Sequence, residues 1–203
     1  MGENFKKYSR KFELNNKSRI FVPPIWFPML IAEQKRKESI SEYIIFMYQT
    51  EDLIRAYNFD LGEIYKYVIQ HFPVEDNKKT RIRAWYRKVA NQMKKESLEK
   101  SGHLKELNKL AKELSRFNLE LLKSDQSYRK IFDQAKLHIN RHAALSNSQV
   151  ANPIQICLNG IYGLLILRLN GNPADDSIKQ GVRAFGDVLS YLSFKYQKRY
   201  NGQ

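Results

Sequence analysis

Three charged residues lie close together on one predicted helix, and a fourth interrupts the most apolar stretch of the chain. Glu51 and Asp52 precede Arg55 by four and three residues, a spacing that lets opposite charges meet on a helix. Glu51, however, falls on the apolar stripe of its helix, and Arg168 lies within the apolar stretch at 153–169. Because a buried arginine keeps its charge and needs a partner, we expect Glu51 or Asp52 to pair with Arg168 in the interior.

Such a cluster has more than one interpretation. It predicts either a buried ion pair that fixes the order of the helices or a polar pocket for an anionic or polar ligand. His103 follows Gly102, where it is more typical of a helix start than of catalysis. An enzyme would use His103 together with Glu51 and Asp52, and the enzymatic interpretation therefore stays open.

Two histidines have the spacing of metal ligands. His138 and His142 lie four residues apart, so a helix would place both on one face. They are weak candidates, because no glutamate follows the first in the manner of zinc proteases and no third ligand is indicated nearby. We expect both to border the core and predict no metal. Cys157 lies within the apolar stretch and is expected to be a small buried residue.

The chain is strongly basic, with a net charge of +14 and a pI near 9.7. Part of this charge lies on the third long predicted helix. Its basic residues are Lys78, Lys79, Arg81, Arg83, Arg87, Lys88, Lys94 and Lys95. The simplest interpretation is a solvated face. The candidates for contact with nucleic acid are Lys79, Arg83, Arg87 and Lys94, although no helix-turn-helix, zinc-finger or stacking motif supports that function.

Several catalytic and cofactor motifs are absent from the sequence. It has no phosphate-binding glycine loop, dinucleotide fingerprint, nucleophile elbow or zinc-type cysteine set, and we predict no cofactor. Gly160 and Gly163 lie inside the apolar stretch. They indicate close approach of helices rather than a phosphate cradle.

Helical periodicity and helix-boundary signals recur from residue 29 onward, whereas no segment alternates with the period of a strand. The predicted helices cover about 29–37, 39–57, 60–72, 76–100, 103–122, 127–145 and 153–169, and a last one follows Asn172-Pro173. The predicted fold is an all-α, single-domain bundle of six to seven helices around the apolar helix at about 153–169. That helix is short for a bilayer span, and we expect no membrane segment.

Residues 1–28 differ from the rest of the chain. They are basic, and Asn15-Asn16 and Pro23-Pro24 interrupt any periodic pattern. We expect either a disordered arm or an over-called gene start, followed by one helical domain at 29–203. The stretch lacks the pattern of a signal peptide, and the single cysteine precludes an internal disulfide. We therefore expect a cytoplasmic protein.

One segment carries a family resemblance. The string RKESISEYIIFMYQTEDLIRA at 36–56 resembles the opening of an uncharacterised domain-of-unknown-function family of small, all-helical bacterial proteins, best known from Bacteroidetes. Trp85-Tyr86 and the segments at 101–104 and 161–169 resemble later landmarks of that family. The resemblance covers about 29–196. It implies the helical fold and no established activity.

Together these patterns favour a non-enzymatic, cytoplasmic helical module that binds a partner or a small polar ligand. The acidic and arginine cluster would be its functional or structural centre. The alternatives are an enzyme with a polar pocket at Glu51, Asp52, His103 and Arg168, and a nucleic-acid-associated protein that uses the basic helix. The sequence does not identify a partner and leaves open a homo-oligomer.

Overall fold

Helices make up the regular structure of the computed structural model, which describes residues 28–145 and 152–200. Within these ranges there are eight α-helices, a short 3-10 turn at Ile69–His71 and no β-strand. The helices are α1 (Pro28–Glu38), α2 (Ile40–Ala56), α3 (Leu61–Tyr67), α4 (Asp76–Lys95), α5 (Lys105–Ser124), α6 (Gln126–Leu145), α7 (Pro153–Leu169) and α8 (Asp176–Tyr200). The predicted all-α class is confirmed. The predicted arm, apart from Pro28, lies outside the described residues.

The described chain divides into two compact units. Unit 1 comprises Phe46–Lys105 together with the residues up to Gln34. Unit 2 comprises Lys35–Ile45 and the chain from Glu106 onward. The single helical domain expected at 29–203 stays a prediction.

A left-handed turn joins α2 to α3 in unit 1. Asn58 and Phe59 have φ angles of 50° and 62°, which few residues other than glycine adopt. Asp60 then caps α3, because its carboxylate accepts a hydrogen bond of 2.7 Å from the amide of Gly62. The chain leaves the α conformation at Val68, so one predicted helix is a short α-helix followed by the 3-10 turn. Both elements pack against α4.

Helix α4 buries one apolar stripe. Its buried residues are Ile82, Tyr86, Val89, Ala90 and Met93. The helix ends earlier than predicted, because Ser97 adopts a φ of 57° and the amide of Leu98 bonds back to the Met93 carbonyl at 2.9 Å. Residues 96–104 then connect α4 to α5. Gly102 has a φ of 90° within this connection, in the region that favours glycine.

In unit 2, α8 packs against both α6 and α7. Gly160 allows α7 to approach α8 closely, because a Cβ atom there would lie 2.6 Å from ring carbons of Phe185. The predicted role of Gly160 in helix approach is confirmed. Gly163 does not share it, since no described atom of another helix lies within 4 Å of the position its Cβ would take.

Helix α7 is buried over only part of its length. Ile154, Ile156, Cys157 and Leu158 are buried in its first half. In the second half Leu164 is buried, and the other large apolar residues are half-exposed: Ile161, Leu165, Ile166, Leu167 and Leu169. Near the start, Gln155 is half-buried and Asn159 is exposed, so even there one side of α7 faces solvent. The central position predicted for this helix implies burial on all sides, and that is wrong. When a helix is apolar on every side, its sequence does not indicate which of its residues neighbouring helices bury. No described helix is long and apolar enough to span a membrane.

The start of α6 in unit 2 is fixed by Asp125. Its carboxylate accepts hydrogen bonds from the amide of Tyr128 at 3.0 Å and from the hydroxyl of Tyr191 at 3.0 Å. The Nζ atom of Lys195 lies 2.8 Å from Oδ2 of Asp125. The hydrogen bond from Lys195, together with that from the Tyr128 amide, holds the pKa of Asp125 at about 2. Asp125 therefore ties α8 to the first turn of α6.

Candidate functional site

Glu51 is fully buried within α2, and both of its carboxylate oxygens are bonded. Oε2 lies 2.6 Å from Nδ1 of His103, and Oε1 accepts a hydrogen bond of 2.9 Å from the amide of Leu104. A buried carboxylate is costly without such partners. The position of Glu51 on the apolar stripe of α2 therefore reflects two polar partners in the chain just before α5.

His103 makes a second contact with α2. Its ring stacks on Tyr48, with the ring centroids 3.6 Å apart and the planes inclined at 18°. Tyr48 precedes Glu51 by three residues, so one turn of α2 contacts both the face of the imidazole and its Nδ1 atom. The His103 side chain is 30% exposed. The imidazole is thus oriented by a carboxylate and an aromatic ring of the same helix.

Arg55 lies one turn further along α2 and bonds to the same connecting segment. Nη1 donates to Oδ1 of Asp52 at 2.8 Å, and Nε donates to the carbonyl of Leu98 at 3.0 Å. Nη2 donates to the carbonyl of Gly102. The planar guanidinium suits three acceptors in different directions, and its side chain is only 13% exposed.

We call Glu51, Asp52, Arg55 and His103 the polar cluster. It attaches residues 98–104 to α2 through three backbone groups and the His103 side chain. Glu96 accepts a hydrogen bond of 2.7 Å from the amide of Lys105, the first residue of α5, and Glu51 accepts one from the Leu104 amide just before it. Negative charge at that end of a helix is favourable. Every buried side-chain nitrogen and oxygen of the described residues has a hydrogen-bond partner.

Arg168 does not share the environment that the sequence predicted for it. The residue is exposed near the end of α7 in unit 2, so its predicted burial is wrong. The expected pair with Glu51 or Asp52 rested on that burial, and its physical reason no longer holds. A long charged side chain near the end of an apolar helix extends into solvent at little cost.

Some contacts of the polar cluster were not predicted. Tyr48 is buried and follows Ile44 by four residues, a spacing that could have placed it on the inward face of α2. The carbonyls of Leu98 and Gly102 had no such signal, because backbone acceptors are the same at every position. In the structure Arg55 bonds to Asp52, and His103 bonds to Glu51.

The two histidines considered as metal ligands pack against α8. Nδ1 of His142 donates to the His138 carbonyl at 3.1 Å, and the His142 ring makes an edge contact with Phe185 at 5.1 Å. A Cβ atom on Gly181 would lie 3.2 Å from Nδ1 of His138. Both histidines thus border the core of unit 2. Over 28–145 and 152–200 no group of three His, Cys, Asp or Glu side chains could hold a metal ion.

The candidate nucleic-acid residues lie along α4 in unit 1. Lys79 pairs with Asp76 at 3.3 Å, and its side chain is 16% exposed. Arg83, Arg87 and Lys94 are exposed. The guanidinium of Arg83 lies 5.4 Å from the ring centroid of Tyr65, and the ammonium of Lys94 lies 5.4 Å from that of Phe59. Cation–π contacts of this kind orient a side chain without neutralising its charge.

Three further cations lie along another line of α4. Arg81, Lys88 and Lys95 are exposed and spaced seven residues apart. We call Lys79, Arg83, Arg87 and Lys94 the first row, these three the second row, and both together the basic face. Among the described residues, the only ion pair of the basic face is that of Lys79 with Asp76. Its other six cations are therefore solvated charges, in contrast to the polar cluster.

The fold and the cluster define a class of protein: an all-helical protein whose buried carboxylate fixes a connection between two helices. Residues 29–203 match the family described as domain of unknown function (DUF4924). The match covers most of the chain and extends over both units, and the protein belongs to this family. No curated protein and no solved structure matches the chain.

Proposed function

We propose that the protein is a non-enzymatic binding module whose partner is anionic. Its binding surface is the basic face of α4. The observation that carries this proposal is the set of six exposed cations that make no ion pair with the described residues. A dense row of solvated positive charge attracts and retains polyanions.

In this proposal the polar cluster is structural. Both oxygens of Glu51 and three nitrogens of Arg55 already bond to the chain, so a ligand would have to displace existing partners. Losing such bonds leaves buried donors unsatisfied, at about 1–3 kcal/mol each. The cluster fixes the connection between α4 and α5, and thereby the end of the helix that carries the basic face.

A second candidate function is enzymatic, and one observation favours it. The carboxylate of Glu51 holds Nδ1 of a partly exposed imidazole, which is how a general base is oriented in many enzymes. Native mass spectrometry of the purified protein would detect a co-purified small molecule. Loss of such a molecule in His103→Gln, with folding retained, would support this candidate over the structural role.

The location and origin belong to the same proposal. We place the protein in the cytoplasm of a bacterium. The buried thiol of Cys157 and the resemblance at 36–56 to a bacterial family support that placement. Fractionation of the source cells would test it.

Binding to an immobilised polyanion tests the leading proposal. Arg87→Gln with Lys88→Gln should leave a heparin column at clearly lower salt than the parent protein. The matched control is Arg129→Gln with Lys130→Gln, which removes the same two exposed charge types from α6. Equal elution of the two double variants would contradict the assignment of the surface to α4, because total charge alone would then explain retention.

A further inference from the structure

The two rows of the basic face lie on either side of one helix. With about 100° between successive residues, the first row spans about 80° of the circumference and the second about 40°. Their centres are about 140° apart. The outward ridge between them consists of small or polar exposed residues: Thr80, Ala84 and Asn91. This ridge lies opposite the buried stripe of α4.

These dimensions match the major groove of duplex DNA. An α-helix with its side chains is about 10–12 Å across, and the major groove of B-DNA is about 12 Å wide. A helix lying in the groove has one phosphate strand on each side. Cations on both flanks of α4 would then reach both strands, while the ridge faces the base edges.

The ridge has the chemistry of a surface that contacts bases. An asparagine side chain can bond to adenine at two positions, and small apolar side chains contact the thymine methyl group. Asn91 and Ala84 are of these types and are exposed. The Thr80 hydroxyl already donates to the Asp76 carbonyl at 3.0 Å, so its donor is satisfied within the helix.

The surroundings of α4 fit the same partner. The 3-10 turn and α3 pack against α4, and only residues 72–75 separate that turn from α4. These elements leave the ridge of α4 exposed, as insertion of a helix into a groove requires. The ridge has no large apolar side chain to insert among lipids, which argues against a membrane surface.

We infer that α4 binds duplex DNA by lying in its major groove, with the first and second rows on opposite phosphate strands. This inference rests on the proposed polyanion-binding function and specifies its partner. Duplex RNA would bind poorly, because the major groove of an A-form helix is too deep and narrow for side chains to read.

Fluorescence anisotropy with the full chain and a mixed-sequence 30-base-pair DNA duplex tests the inference. Affinity should fall about a thousand-fold between 50 and 200 mM salt if six phosphates are contacted. Arg87→Gln with Lys88→Gln should reduce the slope of log affinity against log salt by about two. Arg129→Gln with Lys130→Gln should leave that slope unchanged.

Two further measurements distinguish binding in the major groove from binding through charge alone. Methyl green, which occupies the major groove, should displace the protein, whereas the minor-groove ligand netropsin should not. An RNA duplex of the same sequence should bind at least about ten-fold more weakly.

Equal affinity for DNA, RNA and heparin would overturn the major-groove inference and leave the polyanion function standing. Absence of binding to all three would overturn both, and tighter binding to phosphatidylserine vesicles than to DNA would overturn the inference.

Discussion

The polar cluster and the basic face lie in the same unit, but the charged side chains of the first bond within the chain and those of the second are mostly solvated. In the polar cluster, a buried carboxylate and a mostly buried guanidinium bond to the chain at nearly every polar atom. Along α4, six cations are exposed and make no ion pair with the described residues. Charge bonded internally contributes to the fold, whereas charge left in solvent contributes little to stability and stays available to a partner.

This difference predicts where mutations will act. Substitutions in the polar cluster should change the free energy of unfolding and leave polyanion binding largely intact. Substitutions on the basic face should do the reverse.

The largest expected effect is that of Glu51→Ala. The change removes the acceptor for the Leu104 amide and for Nδ1 of His103, and the amide lies in a buried part of the chain. We expect a loss of about 3 kcal/mol in the free energy of unfolding, measured by urea denaturation at pH 7.

Glu42→Ala is the matched control for Glu51→Ala on the same helix. Glu42 is 60% exposed and pairs with Lys35 at 2.5 Å. An exposed ion pair contributes less than about 1 kcal/mol, so the urea midpoint should move only slightly. Similar losses in the two variants would show that burial of Glu51 does not carry the effect.

Arg55→Lys should have an intermediate effect. A lysine keeps the charge but cannot donate in the three fixed directions used toward Asp52, Leu98 and Gly102. We expect a loss of about 1–2 kcal/mol in urea denaturation. Arg87→Lys on the basic face is the comparison, and an unchanged midpoint for both would contradict the geometric role of Arg55.

Asp125 provides a paired carboxylate in unit 2 whose contribution depends on pH. Its hydrogen bond from Lys195 lowers the pKa from 3.8 to about 2 in the folded protein. A depressed carboxyl pKa stabilises the fold above the unfolded value, and that stability is lost as the pH falls through about 2. In urea denaturation, Asp125→Asn should destabilise at pH 6, and its deficit should shrink from pH 4 toward pH 2. A deficit independent of pH would assign the effect to packing instead.

The smallest effect on stability should come from the basic face. Arg87→Gln with Lys88→Gln removes two exposed cations that make no ion pair with the described residues. The free energy of unfolding should change by less than about 0.5 kcal/mol, because surface substitutions of this type are nearly neutral. A loss several times larger would show that these side chains pack in the fold and are not held ready for a partner.

Much of the fold was accessible from local sequence signals. Periodic apolar residues and helix-boundary signals predicted the helices, because these signals act within a few residues. Asp60 caps α3 and Pro153 begins α7, as signals of this kind predict. The end of α4 was less accessible. It depends on the positive φ of Ser97, and serine gives no indication of that conformation.

The sequence pointed to the four residues of the polar cluster, but not to their bonds or to the exposure of Arg168. Glu51 on an apolar stripe signals a buried carboxylate that needs a partner. The sequence pointed to Arg168, because an arginine buried within an apolar helix has the same need. The actual partners are His103 and a backbone amide, brought close by the turn at Gly102. Backbone groups at a turn cannot be ranked from residue type.

Cys157 has a practical consequence for measurements on this protein. It is the single cysteine of the chain, it is fully buried in α7, and burial raises the pKa of its thiol to about 12. Thiol reagents attack the thiolate, so native molecules should react only when this part of unit 2 opens. The labelling rate of Cys157 therefore measures how often this part of unit 2 opens, without an engineered probe. Comparing that rate in Glu51→Ala and in the parent protein would show whether destabilising unit 1 also increases opening in unit 2.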